Sequence, residues 1–322
     1  MTGSLDPILD ADAVIREASP ALWAGLSALG RRSRQPASFL PLQTAEARGK
    51  AWNATIGQIT DGRGGAVPLP AMAAALSGLS EAERSQAFLY SPVEGLAALR
   101  QRWRLWQRRG QPEDRVSSLP VVTIGPAHAR CLAAEMFAEE GRTVVLYEPC
   151  LPELRDLFET KLGARLRPLH LHDGRFDPTA LARALGELPS GEPGLVFLRF
   201  PNDAGFAPKH REKAAFCRAL AEAAGSRPVV VIVDDTWEEP GAPSGSFFWY
   251  LAGCHENVVP VKADGADGCL GFPGGRVGFL TFPFDPGSGI AKALESKVKM
   301  LLRAEVGSPS TAAQTVLMRG LA

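Results

Sequence analysis

Charged residues that close apolar, β-branched runs are the first candidates for chemistry in this sequence. Asp234 ends the run Val229-Val-Val-Ile-Val, and Lys262 follows Val258-Val-Pro-Val. Arg276 lies in Gly271-Phe-Pro-Gly-Gly-Arg-Val-Gly-Phe, a glycine-rich loop leading into another apolar run. A carboxylate at the end of a buried strand is costly unless it caps a neighbouring backbone or meets a cation. A lysine among apolar residues either snorkels to the surface or, desolvated, becomes an amine able to attack an aldehyde. A guanidinium fixed in a glycine-rich loop suits a phosphate, whose geometry matches its fork of donors. Gly125-Pro-Ala-His128 opens a helix after another strand, and a helix start favours the same kind of anion. Asn202 to Gly205 add a polar turn after a further strand.

These residues need a scaffold that gathers strand ends. From about residue 120 the sequence alternates strands and helices, with strands expected at 121–124, 143–147, 195–200, 229–233, 258–261 and 277–282. Between them helices are expected at 127–140, 178–188 and 208–224, the second opened by Asp177-Pro178 as N-cap and first-turn proline. Continuous apolar strands between amphipathic helices imply an α/β fold with a mostly parallel central sheet covered on both faces. Such sheets bind ligands at the carboxyl ends of their strands. A helix is expected at 21–29, and two more at 290–303 and 310–321.

Composition narrows the function classes. Lys plus Arg total 35 and Asp plus Glu total 35 in 322 residues, so the formal charge is zero and lacks the footprint of a nucleic-acid binder. Arg100 to Arg109 reads as the solvated face of a helix whose buried side is Leu99, Trp103 and Trp106. Five scattered cysteines form no C-x-x-C pair, so neither a metal site nor a disulfide framework is expected. No apolar run is long enough to span a bilayer, and residues 1–12 carry no secretory h-region; the expectation is a cytoplasmic protein.

In chain order the motifs resemble the class I/II aminotransferases, the aspartate-aminotransferase-like group of pyridoxal-phosphate enzymes of fold type I. Asn53-Ala-Thr-Ile-Gly with Asp61-Gly-Arg-Gly is similar to an early N-x-T-I-G segment of that family. Tyr90-Ser-Pro-Val-Glu-Gly-Leu-Ala-Ala-Leu-Arg is similar to its Tyr-x-Pro-x-x-Gly motif, Pro201-Asn-Asp-Ala-Gly to Asn-Pro-Thr-Gly, and Asp234-Asp-Thr-Trp to Asp-x-x-Tyr. The resemblance implies a pyridoxal 5'-phosphate cofactor joined to Lys262 as a Schiff base. It implies that Asp234 holds the pyridine nitrogen, Asn202 the ring oxygen and Arg276 the phosphate. Tyr90 would reach the phosphate of a partner subunit in a homodimer. The substrates would be an amino acid, or related amine, and a 2-oxo acid. The domains implied are an N-terminal segment over 1–52, a cofactor-binding large domain over 53–285, and the helical start of an incomplete small domain over 286–322.

Several positions depart from the family pattern. In the phosphate cup, Gly125 is followed by Pro126, which has no N–H, and by Ala127, which has no hydroxyl, with His128 as the possible replacement. Leu151 stands where an aromatic ring would stack on the cofactor, and Trp237 where a tyrosine would donate to its ring oxygen. Two alternatives to a transaminase therefore stand beside it. One is a catalytically degenerate, aminotransferase-like binding or scaffold subunit; the other is a lyase or decarboxylase using the same cofactor.

Overall fold

The six apolar runs and one further strand pair into one sheet in the computed structural model. The described residues are 10–33, 40–47, 49–50, 60–61, 65–171, 175–201, 206–238 and 245–321. The strands are β1 (Val121–Ile124), β2 (Thr143–Glu148), β3 (Arg165–His170), β4 (Gly194–Arg199), β5 (Val229–Asp234), β6 (Val258–Gly265) and β7 (Val277–Thr281), in the order β1-β7-β6-β5-β4-β2-β3. Only β7 runs against its neighbours, pairing antiparallel with both β1 and β6. The fold is thus the expected α/β arrangement with a mostly parallel sheet.

The helices before the sheet are α1 (Ala11–Ala18), α2 (Pro20–Gly25), α3 (Ala28–Arg32), α4 (Leu40–Glu46), α5 (Pro70–Ser77), α6 (Glu81–Gln86) and α7 (Ala97–Gln107). Those between and after the strands are α8 (Gly125–Phe137), α9 (Pro152–Arg155), α10 (Pro178–Gly186), α11 (His210–Ala224), α12 (Phe247–Leu251), α13 (Ala266–Cys269), α14 (Gly289–Glu305) and α15 (Thr311–Gly320). Where one helix was expected over 21–29 there are two, because Ser27 caps a new start by accepting from the Gly30 N–H. The unexpected β3 is an edge strand, hydrogen-bonded to β2 alone, which is why Pro168 and two arginines are tolerated in it.

Strand alternation sorts the core into two layers. On one face Ile232, Val261, Ala263 and Leu280 pack under Ala129, Leu132 and Ala133 of α8 and under Val298 and Leu302 of α14. On the other, Val122, Val277 and Phe279 meet Leu99 and Trp103 of α7 with Val316 and Leu317 of α15. Farther along that face, Val231, Val233 and Val258 meet Phe216 of α11 and Phe247 of α12. Each large apolar side chain buried this way contributes roughly 1.5–3 kcal/mol. The α8 face and the α7–α12 face are the two environments available to any charged residue at the strand ends.

Candidate functional site

Asp234 closes β5 on the α8 face, in register with Ala263 of β6 and Arg199 of β4. Its Oδ2 accepts from Arg130 Nη1 at 2.8 Å and lies 3.4 Å from Arg199 Nε. Its Oδ1 accepts from the Thr236 N–H at 3.1 Å and the Thr236 hydroxyl at 2.5 Å. Burial alone would raise the pKa of this carboxyl, but the two guanidiniums and the threonine donors outweigh it and hold the group below its ordinary value. Arg130 reaches it because α8 buries Ala129, Leu132 and Ala133 against the sheet, leaving position 130 on the flank of the helix beside the end of β5.

The start of α8 and the loop entering β7 meet edge to edge. Gly125 has φ +77°, and a Cβ there would sit 2.9 Å from the Arg276 guanidinium, so that guanidinium lies close against the glycine backbone. Arg276 itself adopts the left-handed conformation, φ 49° and ψ 52°. It donates from Nη1 to Asp267 Oδ2 at 3.1 Å. Burial pushes the Asp267 carboxyl up to about 6, against the pull of Arg276 and Arg130. Its Oδ1 is buried with no hydrogen-bond partner among the described residues. Ala127 is half-buried in the first turn of α8. His128 turns back instead: Nδ1 accepts from the Ile124 N–H at 3.1 Å and Nε2 meets Glu305 at 2.6 Å.

Beside this cluster opens a cleft of about 310 Å³, lined among others by Val67, Pro68, Trp237, Asp267, Gly268 and Phe272. Neither Asp234, Arg276 nor Lys262 is among its lining residues. Trp237 is 41% exposed there. Leu151 is half-buried against the α8-face core. Tyr90 is 97% exposed, next to Phe88 at 91%. Asn202 lies outside the described residues, as do positions 53–59 and 62–64 of the early motif.

Lys262 is one residue away from Ala263 along β6 and therefore on the other face. It stands in register with Val233 and Thr281, under α7 and α12. Its ammonium forms an ion pair with Asp235 and lies 3.5 Å from Asp264 Oδ2. Asp264 in turn accepts from Trp103 Nε1 at 3.0 Å and Gln107 Nε2 at 2.9 Å, and Asp235 accepts from the Ser246 hydroxyl. Burial alone would depress the lysine, but Asp235 and Asp264 more than reverse it and hold the ammonium protonated, well above its ordinary range. Burial raises the Asp264 carboxyl, against the pull of Lys262, Gln107 and Trp103. The cavity at this cluster is about 20 Å³, room for roughly one water.

The structure thus brings Gly125, Asp234 and Arg276 to one face and leaves Lys262 on the other. This corrects the expectation that Asp234 and Lys262 share one site, and the reason is the two-residue period of a strand. His128 is likewise committed to Ile124 and Glu305. Sequence reasoning passed over Arg130, Arg199, Asp264 and Asp267. Strand parity was the available signal: 262 and 264 must share a face, and 263 must oppose them.

No family model matches the chain, and no curated protein does. Among solved structures, an aminotransferase from Anaerococcus prevotii superposes with a TM-score of 0.73 at 18% identity, covering 86% of this chain and 70% of that one. Aspartate aminotransferase from Thermus thermophilus, solved with maleate, gives 0.67 at 18% identity, over 92% of this chain and 72% of that one. YbdL of Escherichia coli, reported as having a methionine aminotransferase function, gives 0.62 at 19% identity; the chain spans 79% of its own length and 63% of that relative. The fold is that of the fold type I aminotransferases.

Pyridoxal phosphate, the cofactor this aminotransferase fold implies, needs a free amine, an anion cup and a carboxylate for its ring nitrogen. The described residues do not fit it. The lysine amine is a protonated ion-pair partner on the far face of the sheet. The cup already holds a carboxylate, Asp267, on its arginine, and Pro126 contributes no N–H. Asp234 is neutralised by two guanidiniums. Among the described residues no group of three or more His, Cys, Asp and Glu could hold a metal ion, and no helix is long and apolar enough to cross a membrane.

Proposed function

We propose that this chain is a non-transaminating relative of the fold, a protein that binds a small molecule in the Trp237 cleft without forming a Schiff base on Lys262. The observation that carries the reading is the placement of Lys262 and Asp234 on opposite faces, each with its own counter-charges. Transamination through Lys262 would require the ammonium to leave two buried carboxylates, lose its proton and reach a cofactor on the other side of the sheet. Breaking a buried ion pair costs about 3–5 kcal/mol before any chemistry begins. A lyase or decarboxylase using the same cofactor meets the same obstacle.

The test is borohydride reduction of the protein after incubation with pyridoxal phosphate, followed by peptide mass analysis. The expected result is no pyridoxyl adduct at Lys262, no visible absorbance band that the Lys262→Ala variant lacks, and no amino transfer from a panel of amino acids to 2-oxo acids. A stoichiometric adduct at Lys262 would overturn the reading and restore the transaminase.

Self-association belongs to the same proposal. Phe88, Leu89 and Tyr90 form a contiguous exposed apolar stretch, and monomeric proteins rarely leave large patches of that kind uncovered. Light scattering on the purified protein should give a dimer mass, reduced towards the monomer in Phe88→Asp.

A further inference from the structure

We infer that the cleft beside Trp237 takes a small organic cation, an ammonium or guanidinium group carried on a planar apolar body, with Asp267 as its counter-charge. This rests on the reading of the chain as a binding protein and names the ligand class. Four observations carry it.

The cleft wall is apolar and aromatic where a ligand body would lie, with Val67, Pro68, Phe272 and Trp237 along it. Rings of Trp and Phe favour a cation over their faces as well as apolar contact. Its volume of about 310 Å³ matches a one- or two-ring molecule.

Asp267 is the one ionisable side chain among the described lining residues. Its Oδ2 is engaged by Arg276, while its Oδ1 is buried and takes no hydrogen bond from the described residues. An orphaned carboxylate oxygen is costly to bury and calls for a donor.

The arginine that would attract an anion does not line the cleft. Arg276 lies against the Gly125 backbone and pairs with Asp267, and of the two it is Asp267 that lines the cleft.

Gly268 leaves the floor of the cleft bare. A Cβ there would lie 2.3 Å from the Thr236 carbonyl oxygen and 2.8 Å from the Trp237 ring, so the floor admits no side chain. The charged group beside this floor is Asp267.

Three probes with one indole body and different charge separate the possibilities: tryptamine (cation), tryptophol (neutral) and indole-3-acetate (anion). Calorimetric titration of the purified full chain at pH 7.5 should give saturable binding of tryptamine. Tryptophol should bind roughly tenfold to a hundredfold more weakly, the worth of a charge-assisted hydrogen bond, and indole-3-acetate more weakly still. Asp267→Asn should cost tryptamine a comparable factor and leave tryptophol unchanged. Trp237→Leu should weaken all three. The wild-type ranking decides the matter even if a variant does not fold. The inference is overturned if no probe binds, if indole-3-acetate binds as tightly as tryptamine, or if Asp267→Asn leaves tryptamine affinity unaltered. Its failure is distinguishable from that of the parent reading, which falls if pyridoxal phosphate becomes linked to Lys262 or if the chain transfers amino groups.

Discussion

Two adjacent residue pairs on β5 and β6, Val233 with Lys262 and Asp234 with Ala263, face opposite layers of the molecule. On the α8 face a carboxylate is surrounded by guanidiniums: Asp234 with Arg130 and Arg199, and Asp267 with Arg276. On the α7–α12 face the polarity is reversed, with one ammonium held by two carboxylates. The lesson is that a charged residue at a strand end acquires its role from the layer it faces. In these two clusters each face has resolved its own charge locally: the Lys262 ammonium is held by carboxylates and Arg276 is paired with Asp267. One group is only half-compensated, Asp267, and it lines the cleft.

The comparison can be broken most severely at the lysine. Lys262→Met leaves Asp235 and Asp264 buried without their cation and should lower the unfolding free energy by about 3–5 kcal/mol, read from urea midpoints. Adding Asp264→Asn to that variant should recover part of the loss. A cost below about 1 kcal/mol would mean that the lysine is not engaged as described.

Asp234→Asn attacks the opposite layer and should cost about 3 kcal/mol at neutral pH, because Arg130 and Arg199 lose their anion. The folded-state pKa is depressed, so the stabilisation is present above the ordinary value of 3.8 and is lost as pH falls through the lower folded value. In acid unfolding curves the gap between wild type and variant should therefore close below about pH 4.

Gly125→Ala combines a positive φ with a side-chain atom pressed on Arg276 and should cost about 1–3 kcal/mol in thermal unfolding. Asp267→Asn should have a smaller effect of opposite sign. A carboxyl raised to about 6 in the folded state binds protons that the unfolded chain has released, so its contribution is present below 3.8 and is lost as pH rises through about 6. Relative to the asparagine variant, wild type should lose stability between pH 4 and 6, by at most about 1.4 kcal/mol for each unit. The groups facing Asp267 there are Arg276 and Arg130, neither of which titrates in that range. Smallest should be His128→Gln, about 0.5–1 kcal/mol in the same assay, for the Glu305 pair and the Ile124 bond.

Much of the scaffold was legible before any coordinates. Six of the seven strands were readable as β-branched runs, since strands of a sheet covered on both faces have no polar alternation to hide them. β3 was not, because an edge strand with Pro168, Arg165 and Arg167 looks like a loop. Helices α5 and α6 escaped for a different reason: at 8 and 6 residues they are too short for a hydrophobic period to declare itself. Of the site, Asp234, Gly125 and Arg276 were singled out by their strand-end and glycine-loop positions. Arg130 was invisible as a partner because its carboxylate lies 104 residues away in the chain.

The sequence by itself determined which residues sit at the ends of strands, and with them the α/β architecture of the aminotransferases. Local propensity and hydrophobic runs act over a few residues, and these features need nothing longer. Only the tertiary structure decided which strand ends share a chamber. Strand parity says that Lys262 and Ala263 diverge, but inter-strand register sets Asp234 beside Ala263 and Val233 beside Lys262, which leaves Asp235 on the lysine's face within ion-pair reach. That register is set by packing between elements far apart in the chain, and a shift of one residue would have reversed both charge clusters.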